Sequence, residues 1–286
     1  MNVLVATDGS KYGRWALNWV AQLPFVEPAT VLALHVVDID AVRAPFRSQP
    51  VMTGSERYLQ EELARMETRA ARTITATKKQ FAALKLKGTV RKEHGAIAPV
   101  ILNRAPKRDG LLVVGSQGLD VLDRFMLGSV STKLIHHTTC PVLVVKDEAA
   151  PVRRIVLATD GSDASAKALE FVRTKFQADQ STGKGGRVPI HISVIHVMPF
   201  SNYQELKEVR ELLEQSVRML IQAGFTAEAV CLPGKPAEEI MKVAAKHHAE
   251  LIVMGAQGLG AIARFLLGSV SMRVVQHATC SVLVVR

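Results

Sequence analysis

The stretch Gly115-Ser116-Gln117-Gly118, followed by Gly128-Ser129-Val130-Ser131, decides how the chain folds, and it occurs twice. The second copy reads Gly255-Ala256-Gln257-Gly258 and Gly268-Ser269-Val270-Ser271. An aliphatic run, 111–114 in one copy and 251–254 in the other, precedes each motif. Such a run ending in glycine predicts a buried strand that enters a tight turn.

The chemistry of this motif favours an anionic ligand. Glycine allows backbone amides to approach a ligand closely, and the later Gly-Ser pair stands where a helix begins, with unpaired N–H groups that suit a phosphate. A side chain at Gly118 or Gly128 is expected to crowd the phosphate and to require an unfavourable φ. The alternative is a pair of tight turns and a helix start that bind nothing.

The two copies belong to a duplicated domain. Residues 111–145 and 251–285 agree at 20 of 35 positions when compared at a fixed offset of 140. The linker at 146–153 contains Pro151, which predicts a boundary near residue 149 and domains at 1–149 and 150–286.

Strands alternate with helices in both halves, which predicts an α/β fold with parallel sheets. Ligands of such sheets bind beyond the carboxyl ends of the strands. Asp8 and Gly115 are expected to meet at that edge, as are Asp160 and Gly255. An irregular segment is predicted over 38–54 and a connector loop over 181–186.

Composition excludes several classes of protein. The chain has 286 residues and a net charge of +10, but no basic stripe interleaved with aromatic residues, so we do not expect a nucleic-acid partner. No apolar run is long enough for a membrane span, and no secretory signal is predicted. The three cysteines, Cys140, Cys231 and Cys280, are unclustered and are expected to be small buried residues of a cytoplasmic protein.

Taken together, the motifs resemble the universal stress protein family. The resemblance rests on Gly-x2-Gly-x9-Gly-Ser in both halves, on the Ala-Thr-Asp sequences ending at Asp8 and Asp160, and on the His-Val pairs at His35 and His196. It implies two repeated doubly wound, Rossmann-like parallel sheets of five strands in the order 3-2-1-4-5. It also implies that the two domains associate through strands 142–145 and 282–285, and that the chain belongs to the ATP-binding branch as a cytoplasmic stress protein.

The resemblance implies two sites for ATP with magnesium. In the first, ribose and phosphates would contact Gly115, Gly118, Gly128, Ser129, Val130 and Ser131. Ala6, Thr7 and Asp8 would hold the ribose or adenine side, and Val36 would meet adenine through its backbone. The second site would use Ala158, Thr159, Asp160, Val197, Gly255, Gly258, Gly268, Ser269, Val270 and Ser271.

Other residues have plainer interpretations. Asp8 and Asp160 could simply cap the turns that follow them. His35 and His196 are interpreted as packed structural histidines, and the pairs at 136–137 and 247–248 lack partners at metal spacing. Arg124 and Arg264 reach either phosphates or carboxylates, and the sequence leaves that choice open.

Three functions remain open. The first is a regulatory protein that holds ATP, the second a slow ATP hydrolase, and the third an interaction module that does not use nucleotide. No catalytic and no metal-ligating residue is assigned, because only serine and glycine lie at the expected phosphate end. The pattern also leaves open whether the full chain forms a homodimer.

Overall fold

The computed structural model describes residues 1–43, 55–107, 109–118, 127–181, 187–198, 205–258 and 267–286. Within these ranges the strands form a ten-stranded sheet and a short two-stranded sheet. The inner strands of the large sheet are aliphatic and buried on both faces, as their near-continuous apolar sequences predict, whereas the two outermost strands, 87–94 and 226–233, are exposed or half-buried.

The first repeat contains five strands and five helices. The strands are β1 (Asn2–Ala6), β2 (Thr30–Val37), β3 (Lys87–His94), β4 (Leu111–Gly115) and β5 (Val142–Val145). The helices are α1 (Lys11–Gln22), α2 (Ile39–Arg43), α3 (Ser55–Ala83), α4 (Ile97–Arg104) and α5 (Ser129–His137).

The second repeat has the same order with one added hairpin. Its strands are β6 (Arg154–Ala158), β7 (Asp179–Ser181), β8 (Arg187–Pro189), β9 (His191–Met198), β10 (Thr226–Pro233), β11 (Leu251–Gly255) and β12 (Ser281–Val285). Its helices are α6 (Asp163–Lys175), α7 (Glu205–Gln222), α8 (Pro236–Lys246) and α9 (Ser269–His277).

The strand order confirms the predicted topology. The large sheet runs β10-β9-β6-β11-β12-β5-β4-β1-β2-β3, which is the order 3-2-1-4-5 in each repeat. Within the large sheet the strands of each repeat are parallel, whereas β5 and β12 pair antiparallel with Leu143 opposite Leu283. The last strands of the two repeats therefore join two five-stranded sheets into one.

Alternate residues of each strand face different cores. Leu143 and Val145 belong to one apolar cluster together with the buried Trp19 of α1. Val142 and Val144 belong to the cluster on the opposite face. Both clusters contain residues of both repeats, so hydrophobic burial, worth about 1.5–3 kcal/mol for each fully buried aliphatic side chain, stabilises the junction as well as each repeat.

The first helix of each repeat begins at a capping serine. Ser10 Oγ accepts a hydrogen bond from Gly13 N at 3.1 Å, and Ser162 Oγ accepts one from Ser165 N at 3.3 Å. Each cap satisfies one of the N–H groups that a helix start leaves unpaired.

Two sequence predictions differ from the structure, and a third, the connector loop, lies mostly outside the described residues. The segment predicted to be irregular over 38–54 contains α2, because Asp38 Oδ1 caps it by accepting from Ala41 N at 3.0 Å; residues 44–54 lie outside the described part. The predicted loop at 181–186 is flanked by the hairpin strands β7 and β8, and 182–186 are not described. Cys231 is exposed rather than buried, because β10 is the outermost strand of the sheet.

Among the described residues, no helix is both long and apolar enough to cross a bilayer.

Candidate functional site

In each repeat the sheet topology brings the Ala-Thr-Asp turn close to the glycine loop. Strand β1 pairs with β4, with Val5 opposite Val113, and β6 pairs with β11, with Leu157 opposite Val253. The turn after β1 and the glycine loop after β4 therefore leave the sheet side by side at its carboxyl edge. This edge is where parallel α/β sheets hold their ligands.

A cavity lies at this edge in each repeat. The first cavity measures about 490 Å³ and the second about 370 Å³. All ten residues predicted for the first site line the first cavity: Ala6, Thr7, Asp8, Val36, Gly115, Gly118, Gly128, Ser129, Val130 and Ser131. All ten predicted for the second line the second: Ala158, Thr159, Asp160, Val197, Gly255, Gly258, Gly268, Ser269, Val270 and Ser271.

The glycine loop closes onto the helix that follows it. Gly128 N donates to Ser116 O at 2.8 Å, and Gly268 N donates to Ala256 O at 2.8 Å. Both hydrogen bonds join backbone atoms, so the loop keeps its shape although Ser116 of the first repeat is replaced by Ala256 in the second. The capping glycines supply no side-chain acceptor to α5 or α9, and the first amides of each helix are left for a ligand.

The serines in the first turn of these helices differ in their surroundings. The buried Ser131 donates its hydroxyl to Gly115 O at 2.7 Å, and Ser271 donates to Gly255 O at 2.9 Å. These bonds fasten the helix start to the end of the preceding strand. Ser129 and Ser269 are exposed, so their hydroxyls can turn toward a bound anion.

Two of the cavity-lining glycines are required for packing. A Cβ at Gly115 would lie 2.6 Å from Tyr12 Cβ, and one at Gly255 would lie 2.5 Å from the carbonyl carbon of Ala164. Both distances are far below an ordinary contact, so these positions let the first helix of each repeat cross the end of the strand. Glycine at these two positions follows from the fold alone.

Gly118 and Gly128 meet only part of the sequence prediction, namely that a side chain there would be crowded and the backbone strained. A Cβ at Gly118 would lie 3.0 Å from Asp8 Oδ2. A Cβ at Gly128 would meet no atom closer than 3.6 Å. Neither glycine has a left-handed φ, and Gly128 has φ −63°. The prediction that these two positions require an unfavourable φ is therefore wrong.

The aspartates cap a turn and line the cavity at once. Asp8 Oδ1 accepts from Ser10 N at 2.9 Å, and Asp160 Oδ1 accepts from Ser162 N at 3.1 Å. The turns pass through glycines with φ +83° and +80°. The second carboxylate oxygen lies against the glycine loop, since a Cβ at Gly258 would come within 2.5 Å of Asp160 Oδ2. The plainer interpretation is thus correct but incomplete.

The histidines of the second strand have a structural contact. His35 Nδ1 lies 2.8 Å from Thr7 O, and His196 Nδ1 lies 3.0 Å from Thr159 O. Each imidazole ties the end of the second strand to the end of the first, in agreement with the predicted structural role. No group of three metal-binding side chains occurs among the described residues, and Arg124 and Arg264 lie outside them.

Several wall residues were not predicted from the sequence. Asp38, Met66, Arg69 and Ala70 line the first cavity, and Pro236 with others lines the second. Met66, Arg69 and Ala70 have the spacing of one helix face, so periodicity groups them. Their position over the cavity depends on how α3 packs, which no local pattern shows.

Comparison with known proteins agrees with this architecture. The profile of the universal stress protein family matches residues 1–146 and again 151–286. The chain is 30% identical over 300 aligned residues to a universal stress protein of Mycolicibacterium smegmatis, covering 99% of this chain and 96% of the relative. It is also 34% identical over 145 residues to one of Bacillus subtilis, covering 46% of this chain and 98% of that relative.

A solved structure shows the same fold over the whole length. The crystal structure of a universal stress protein from Archaeoglobus fulgidus superposes with a TM-score of 0.71 at 20% identity, covering 100% of this chain and 96% of that one. The chain belongs to the universal stress protein family, and it carries the family's domain twice.

Proposed function

We propose that the chain is a regulatory nucleotide-binding protein that holds ATP with magnesium in each of its two cavities. The observation that carries the proposal is the same in both repeats. A helix start with a glycine cap, an adjoining glycine loop and an aspartate line one cavity at the carboxyl edge of the sheet. The helix start suits phosphates, and the aspartate suits a ribose hydroxyl.

We infer the adenine end from the opposite wall. Val36 and Val197 stand at the ends of β2 and β9, away from the helix starts, and both line their cavities. Their backbone groups would meet the base, while Ile101 and Ile240 supply apolar surface in the first and second cavity. An apolar wall with few polar groups is the usual form of such a pocket.

ATP is proposed to be a ligand rather than a rapidly consumed substrate. Fast phosphoryl transfer requires a group that orients water and charges that stabilise the transferring phosphoryl group. Among the described lining residues, the helix-start wall offers serines, valines and backbone amides. Slow hydrolysis of ATP is therefore the second candidate function. The third candidate, an interaction module that does not use nucleotide, leaves both cavities unexplained.

Domain limits and compartment belong to the same proposal. We assign the repeats to 1–149 and 150–286, since β5 ends at Val145 and β6 begins at Arg154. We assign the protein to the cytoplasm, where thiols stay reduced, since the cysteines are free.

Isothermal titration calorimetry of the full chain with ATP and magnesium tests the proposal. We expect saturation near two nucleotides per chain and the release of adenine nucleotide from denatured purified protein. The double variant Gly118→Val, Gly258→Val is the matched control, because each new side chain would press on the neighbouring aspartate. Absence of binding by the folded natural chain would contradict the proposal.

A further inference from the structure

Internal symmetry allows the charges around the two cavities to be compared position by position. Helix α3 approaches the turn after β1 through Thr73, whose Oγ1 would lie 2.8 Å from a Cβ on Gly9. Helix α7 approaches the equivalent turn through Leu212, whose Cδ2 would lie 3.4 Å from a Cβ on Gly161. Thr73 and Leu212 are therefore structurally equivalent.

One helical turn before Thr73 and Leu212, the two helices carry side chains of opposite charge. Arg69 precedes Thr73 by four positions and lines the first cavity. Glu208 precedes Leu212 by the same four positions. Both side chains are exposed, and within the described part of the chain neither has an ion-pair partner among the observed salt bridges. Helix α3 thus carries a cation that lines the first cavity, and α7 carries a carboxylate at the equivalent position, although Glu208 is not among the described residues that line the second cavity.

The helix that follows the turn shows the same reversal. Helices α1 and α6 start at equivalent capping serines, so Lys11 corresponds to Asp163 and Arg14 to Ala166. Arg14 Nη1 donates to Gly9 O at 2.9 Å, beside the cavity-lining aspartate. The first turn of α1 therefore carries two cations where α6 carries a carboxylate and a neutral side chain. None of these four side chains is among the described residues that line a cavity.

Among the described lining residues, the acidic side chains of the two cavities differ by one carboxylate. Asp8 and Asp160 occupy equivalent places and contribute equally. Asp38 is an additional carboxylate of the first cavity, whose described lining contains one lysine or arginine, Arg69. The described lining of the second cavity contains no lysine, arginine or histidine.

We propose that the two sites divide nucleotides by phosphate charge: the first prefers the triphosphate, and the second discriminates little between triphosphate and monophosphate. This inference rests on the proposed function. A cation near the mouth attracts a polyphosphate more than a monophosphate, a carboxylate does the opposite, and salt screens both effects at these exposed positions. We expect the ATP-to-AMP affinity ratio of the first site to exceed that of the second by about tenfold at low salt.

Single-site forms of the full chain provide the test. Gly258→Val leaves the first site and Gly118→Val leaves the second, with circular dichroism to verify folding. ATP and AMP are titrated into each form, both with magnesium, at about 50 and about 300 mM NaCl. In the form that keeps the first site, Arg69→Glu should lower the ATP-to-AMP affinity ratio, and Arg69→Lys should leave this ratio unchanged. In the second-site form, Glu208→Arg should raise it.

The outcomes separate this inference from the function on which it rests. Equal ATP-to-AMP ratios and equal salt dependence at two functional sites would overturn the division of nucleotides and leave two-site binding intact. An unchanged ratio in folded Arg69→Glu would also overturn it. A chain in which neither site binds either nucleotide would refute the proposed function and the inference together.

Discussion

Lys146 and Arg286 occupy equivalent positions after the last strand of each repeat, and each donates a hydrogen bond to the final helix of the other repeat. Lys146 Nζ lies 2.9 Å from Gln276 O in α9, and Arg286 contacts Ile135 O in α5. Cations near a helix C-terminus are favourable because they meet the negative end of the helix dipole. This exchange fastens the repeats together beside the β5–β12 pairing.

Lys146 makes the stability of this junction depend on pH. Burial lowers the pKa of Lys146 to about 8 from 10.5. Between these values the unfolded chain binds more protons than the folded chain, so the free energy of unfolding gains a component that rises with pH. We expect that component to disappear in Lys146→Met, measured by urea denaturation from pH 7.5 to 10.5. Arg286→Met is the matched control, because arginine stays protonated over this range; the same pH dependence in Lys146→Met and the natural chain would contradict the assignment.

Glycine substitutions should separate packing from binding. Gly118→Val combined with Gly258→Val is expected to abolish ATP binding in calorimetry while the chain stays folded, because the nearest obstacles are the side chains of Asp8 and Asp160. Gly255→Val should instead lower the melting temperature sharply, since its Cβ would lie 2.5 Å from a backbone carbon of α6. Full ATP affinity in the folded double variant would remove the glycine loop from the site.

An acid-sensitive contact is predicted on the second repeat, away from the cavities. Burial raises the pKa of Glu228, but hydrogen bonds from Ser193 and His191 and the charge of His247 outweigh it and hold the pKa below 4.5. Its contribution to stability is complete above the unfolded-state pKa and is lost as pH falls through the folded-state pKa. We expect Glu228→Gln to weaken the protein at pH 6 and to flatten the stability loss below pH 4.5.

The control for Glu228 is Glu214→Gln on the exposed surface of α7, where the carboxylate pairs with Arg218 at 3.5 Å and with no other described residue. Exposed pairs of this kind contribute little, so this variant should follow the natural chain. If the free energy of unfolding falls equally steeply below pH 4.5 in Glu228→Gln and in the natural protein, Glu228 does not contribute to the acid sensitivity.

Turnover of ATP is expected to lie far below the enzyme range of about 1 to 1,000 per second. The reason is the chemistry of the helix-start wall, where serines and amides can hold phosphate but do not orient water strongly. Phosphate release and the identity of the bound nucleotide should be followed over hours. A steady rate near one per second that is lost in Ser129→Ala with Ser269→Ala would establish an ATPase instead.

Much of the fold is encoded in local patterns. The aliphatic runs predicted the parallel strands, because a strand covered on both faces must be apolar along its whole length. Ser10 was recognisable as a cap since it precedes an amphipathic helix. Cys231 was placed wrongly because its strand pattern does not reveal that β10 is an edge strand. Likewise α2 was missed, because its five residues are too few to show helical periodicity.

The sequence by itself determined the duplication, the family resemblance and the residues that line both cavities, since these depend on strand and turn signals that are local in the chain. Only the tertiary structure decided which glycines serve packing, and that Arg69 of α3 lines the first cavity. Those features are distances between segments far apart in sequence, and they arise from side-chain packing that no periodic pattern records.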